Sequence, residues 1–137
     1  MFLRRRLRIV RRRRVGRPWT LAQKKHYADH KESARALCQN RLEYFNKHYK
    51  LQYNRVSIKN TRSRWGSCSS KKNLNFNYRI IFLAPELQDY LIVHELCHLA
   101  QMNHGSNFWA LVAEQVPNYL ECVQQLRAVE GELMKMK

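Results

Sequence analysis

Tyr90-Leu91-Ile92-Val93-His94-Glu95-Leu96-Cys97-His98-Leu99 decides the reading of this chain. Two histidines four apart fall on one helix face about a turn from each other, so both imidazoles can bind one Zn²⁺ ion. Glu95 stands one step round from His94, beside the metal rather than on it, where its carboxylate can accept a proton from an activated water. Random placement at this composition gives roughly 0.015 such matches per chain, so the pattern is not read as accident. A catalytic zinc keeps three protein ligands and one open position. His104, six residues after His98 where the chain must turn back, supplies the third donor. Leu91, Ile92, Val93, Leu96, Leu99 and Ala100 give the site a dry apolar wall, and an inward Glu there is costly unless paired or near a metal.

Outward from this stretch, Ala84-Pro85 opens the motif helix, which the pattern carries to about Met102, with Asn103-His104-Gly105 as its stop. Ser106 is expected to cap a helix over 107–116, and Pro117 separates a last helix running toward Glu132. Upstream, Leu74–Leu83 alternates as a strand, and Tyr53, Val56 and Ile58 mark another over 53–61. Between them, residues 62–70 read as a polar loop holding Trp65. Trp65 has two readings, a cleft residue or a core plug. Thr20 is the expected N-cap of a long helix from Leu21 to Tyr49, with Ala34, Leu37, Cys38, Arg41, Leu42 and Phe45 as its buried stripe. On that helix, His26 and His30 are read as solvated; Cys97, inside the histidine motif, is read as packing against the strands.

The 137 residues suffice for one core. Lys plus Arg is 26 against 10 acids, a net charge of +16. Eleven of the cations precede residue 29 with no acid among them, whereas the stretch after residue 80 is mildly acidic. Residues 1–19 are therefore read as a flexible basic arm and 20–137 as the domain. The arm is a candidate contact for nucleic acid, with Arg62, Arg64, Lys71 and Lys72 extending the basic surface and several tyrosines offering stacking faces. The hydrophobic fraction of 45% excludes wholesale disorder, and no apolar run is long enough to span a membrane. Four cysteines in no close pair point to a reduced, cytoplasmic setting.

Ser63-Arg64-Trp65-Gly66-Ser67-Cys68-Ser69, Leu74-Asn75-Phe76-Asn77-Tyr78-Arg79, the extended histidine stretch and Asn103-His104 followed by Phe108-Trp109 resemble the YgjP-like zinc metallopeptidases, relatives of the SprT-like and WLM minimal zincins. The resemblance runs from about Ala34 to Arg127. It implies a compact α+β zincin-like core with a long helix, a small sheet and the motif helix packed beneath it. It also implies zinc ligands at His94, His98 and His104, a base at Glu95, and a protein or peptide substrate. The chain departs in having Gly105 where the family usually has Ser, and an arginine-rich arm where the family has a β-rich portion. Metzincins are excluded because Gln101 stands where they need Gly, and YbeY-type endoribonucleases because they lack the glutamate. By analogy, SprT-like relatives act on proteins attached to DNA. The alternative reading is a nucleic-acid-binding protein with a structural zinc and no turnover.

Overall fold

A computed structural model describes residues 16–134. Residues 1–15, and with them most of the proposed arm, lie outside the described part. Helix α1 spans Leu21–Tyr49. Thr20 begins it with a capping box: its hydroxyl accepts from the Gln23 N–H, and the Gln23 side chain accepts from the Thr20 N–H. Lys50 ends it in the left-handed region, with its N–H on the Asn46 carbonyl. Ala34, Cys38, Leu42 and Phe45 bury one stripe, as the spacing predicts.

The sheet is mixed, with β1 (Arg55–Lys59), β2 (Gly66–Cys68) and β3 (Asn73–Asn77) in the order β1-β3-β2. β1 runs parallel to β3 with Val56 beside Leu74, and β2 runs antiparallel to it with Ser67 beside Asn75. Leu74 and Phe76 point into the core, fully buried. Two expectations change here. The loop over 62–70 contains a strand, β2, and the strand expected to reach Leu83 stops at Asn77 and becomes a 3₁₀-helix, Tyr78–Phe82. Asn77 is the cause. Its Oδ1 accepts from the Arg79 N–H and starts the turn, while its amide donates to Thr61 and Arg64 and ties the loop to the sheet.

Helix α2 (Pro85–Cys97) carries Pro85 in its first turn, and from Tyr90 onward it is buried on nearly all sides, in keeping with the apolar run Leu91–Val93 and with Leu96 and Cys97. Arg41 of α1 fixes it through a two-pronged pair with Asp89, at 2.7 and 3.0 Å. It stops five residues before the expected end. The Leu99 and Ala100 N–H groups bond three residues back, to Leu96 and Cys97, and the tightened turn cannot continue. Helix α3 (Ser106–Ala113) and helix α4 (Tyr119–Leu133) follow. Gly105, not Ser106, is the N-cap of α3, and no side chain bonds there. Among the described residues the architecture is α+β, with four α-helices and a small three-stranded sheet.

Candidate metal centre

The last two turns of α2 and the reversal after it bring three imidazoles to one point. His94 lies inside α2, His98 is its C-cap, and His104 comes from the segment leading into α3. Their Nε2 atoms are 3.2 Å apart for His94–His98, 3.2 Å for His94–His104 and 2.9 Å for His98–His104. The set can hold a metal ion, and it brings together all three histidines that the sequence singled out.

Each ring is held from behind. His98 donates from Nδ1 to the Gln101 carbonyl at 3.0 Å, a bond that also helps close the helix end. Its proton therefore sits on Nδ1 and its Nε2 offers a lone pair. The Tyr90 hydroxyl lies 3.1 Å from His94 Nδ1. Phe108 forms the floor, stacked on His98 at 4.5 Å and edge-on to His94 and His104 at 5.0 Å each. Trp109 stacks between His104 and Tyr119. Tyr90 and Tyr119 escaped the sequence reading. A tyrosine four residues before the first histidine was the available signal for Tyr90.

Burial, reinforced by His98 and His104, lowers the His94 pKa to about 3. Burial alone pushes Glu95 up to about 8. Glu95 Oε1 stands 3.8 Å from His94 Nε2, and with those shifts the two are neutral neighbours rather than an ion pair. Glu95 is 5% exposed, and its Oε2 has no hydrogen-bond partner. The three converging Nε2 atoms are a donor set that a cation satisfies, and the partnerless Glu95 Oε2 beside them is a buried polar atom that the protein itself leaves unsatisfied.

The wall opposite Glu95 is bare backbone. A Cβ on Gly66 would sit 2.9 Å from the Asn75 carbonyl and 3.0 Å from Glu95 Cγ. Gly66→Ala is therefore expected to cost about 1–3 kcal/mol from overpacking, read as a lower denaturant midpoint at unchanged slope. Trp65, next to it, is 7% exposed and fills the core, so the plug reading holds.

The other candidates lie elsewhere. His26 and His30 are half-buried rather than fully solvated. His26 Nδ1 meets the Tyr78 hydroxyl at 2.8 Å and its ring stacks on Phe82, while His30 Nδ1 bonds the His26 carbonyl. Cys97 is fully buried in the core.

Fold and site together define a metallopeptidase. Residues 6–129 match the YgjP-like metallopeptidase domain, and the chain belongs to that family. The match begins well before Ala34 and takes in most of the arginine-rich segment. Its fold is similar to that of the metallopeptidase zymogen abylysin of Pyrococcus abyssi, at a TM-score of 0.61 and 22% identity over 66% of this chain and 92% of that one. It is also similar to the metallopeptidase zymogen jannalysin of Methanocaldococcus jannaschii, at 0.50 and 24% over 68% and 96%. No curated protein matches the sequence. Among the described residues no helix is long and apolar enough to cross a membrane.

Proposed function

We propose that the protein is a zinc-dependent endopeptidase with His94, His98 and His104 as metal ligands and Glu95 as general base. The convergence of three Nε2 atoms, with the His98 proton held on Nδ1, carries this reading. Zinc–nitrogen bonds of about 2.0–2.1 Å at tetrahedral angles imply edges of about 3.3–3.4 Å, within a few tenths of the spacing here. Bound zinc supplies Lewis-acid polarisation of the scissile carbonyl and acidifies the attacking water. A cation bound beside Glu95 favours its ionised form over the neutral acid of the metal-free site, and the carboxylate then takes that water's proton and delivers it to the leaving amine. Its apolar surroundings exclude bulk water from the transfer.

The peptide is expected to pair along β2. β3 is the central strand of the sheet, and β2 is the edge beside Glu95. An extended chain added there takes main-chain hydrogen bonds from the edge.

His94→Ala combined with His98→Ala is expected to remove zinc and peptidase activity together. Elemental analysis beside a peptide-cleavage assay tests this, and retention of stoichiometric zinc would refute the ligand assignment. Zinc binding should weaken as pH falls and protons compete for the imidazoles.

Nucleic-acid association through Arg4–Arg17 belongs to the proposal as a separable property. Deleting residues 1–17 should leave zinc content intact and flatten the salt dependence of DNA binding by roughly 0.9 for each phosphate that the arm neutralises. Equal binding by both proteins would remove this part. A cytoplasmic setting is inferred from four unpaired cysteines.

A further inference from the structure

Beside the edge strand, on the sheet face turned away from α2, lies a cavity of about 340 Å³ bordered by Lys59, Thr61, Arg64, Ser67 and Asn75. We propose that this cavity receives an acidic side chain of the peptide substrate, one residue removed from the residue that faces Glu95. The proposal rests on the peptidase reading above and names its substrate class.

Register supplies the first argument. Gly66 approaches Glu95, and Gly66 and Cys68 stand beside the fully buried Phe76 and Leu74 of β3, so these alternate positions of β2 face the core side. Ser67 between them faces the other way, where its Oγ accepts from Asn75 Nδ2 at 3.2 Å. Successive side chains of an added strand alternate in the same manner. A peptide whose reacting residue lies over Glu95 therefore sends its neighbour to the face shared by Ser67 and Asn75, which is the face of the cavity.

Charge supplies the second. Between Glu43 and Glu86 the chain has nine Lys and Arg residues and no carboxylate. Lys59 and Arg64 border the cavity, both exposed, and neither makes an ion pair among the described residues. The other lining groups are hydroxyls, amides, Gly66 and Phe76, so nothing in the wall neutralises the two cations. A carboxylate entering there gains two partners and meets no anion. A lysine side chain entering there meets like charge. Each exposed pair contributes roughly two- to fivefold, so a discrimination of about fivefold or more is expected.

The test uses the zinc-loaded full chain and peptides that differ only in carrying Glu, Gln or Lys at one scanned position. At a single position next to the cleaved bond, kcat/KM should be at least about fivefold higher for Glu than for Gln, and lowest for Lys. The preference should shrink between 50 mM and 500 mM NaCl, since surface charges are screened. Lys59→Glu combined with Arg64→Glu should invert it at unchanged zinc content and thermal midpoint. If that variant does not fold, the salt dependence of the wild type decides. Cleavage with no charge preference at any position overturns the subsite and leaves the peptidase reading standing. If the wild type cleaves none of the peptides, the peptidase reading fails, and the subsite is judged by binding of the labelled peptides to Glu95→Gln. Tighter binding of the Glu peptide supports it there, and equal binding overturns it. An oligonucleotide that competes with all peptides equally and depends on Arg64 would assign the face to phosphate and also overturn it.

Discussion

Glu95→Gln should retain zinc and fold while kcat/KM for peptide cleavage falls by about 10²–10⁴-fold. The amide is nearly isosteric with the acid, so the packing against Gly66 survives, but it cannot accept the proton of the attacking water. Wild-type turnover in the variant would reduce the motif to a structural zinc site. A second readout comes from the metal-free protein. Glu95 ionises near 4.5 when unfolded and near 8 when folded, because burial opposes its charge. The folded state therefore holds the proton longer. The stability this contributes is fully present below pH 4.5 and is lost as pH rises through 8, at up to ~1.4 kcal/mol per pH unit. His94 works in the other direction. Its folded value is about 3 and its unfolded value 6.5, so stability is lost as pH falls from 6.5 toward 3. Metal-free wild type should be most stable near pH 4.5–6.5, and Glu95→Gln should lose the alkaline decline but keep the acid one. Thermal midpoints across pH measure both.

Phe108→Ala should destabilise the fold by about 3–5 kcal/mol, the range for deleting a buried aromatic ring. Phe108 is fully buried and touches all three histidine rings, so the cavity opens directly under them. Zinc affinity should fall alongside stability, by tenfold or more in chelator competition, because the rings lose the surface that orients them. Phe108→Leu should recover most of the stability and less of the affinity. Equal recovery of both would mean that Phe108 fills space without orienting the ligands.

Local signals in the chain marked several of these features clearly. Thr20 announces the start of α1, and the paired histidines announce the centre, because each signal is local to one helix. His104 was reachable because a third donor had to follow a chain reversal. Other features depend on partners distant in sequence. Gly66–Cys68 is strand only because Phe76, Asn75 and Leu74 stand opposite it. Leu74–Leu83 alternates like one strand, yet the side chain of Asn77 diverts it into a 3₁₀ turn. His26 and His30 resemble a solvated pair until Tyr78 and Phe82 fold against them. The early end of α2 came from hydrogen bonds in the final turn, which no periodicity encodes.

The shortness of β2 bears on how the molecule meets other copies of itself. An edge strand is a template for self-association, and proteins blunt such edges by keeping them short and charged. Here the edge is three residues long, Arg64 precedes it, and Lys71 and Lys72 follow it at the turn into β3. Two copies meeting edge to edge would bring these cations against their own images, and like charges across paired strands repel. The arrangement disfavours edge-to-edge pairing of two copies, and on the subsite proposed above the same few cations would favour incoming chains of opposite charge.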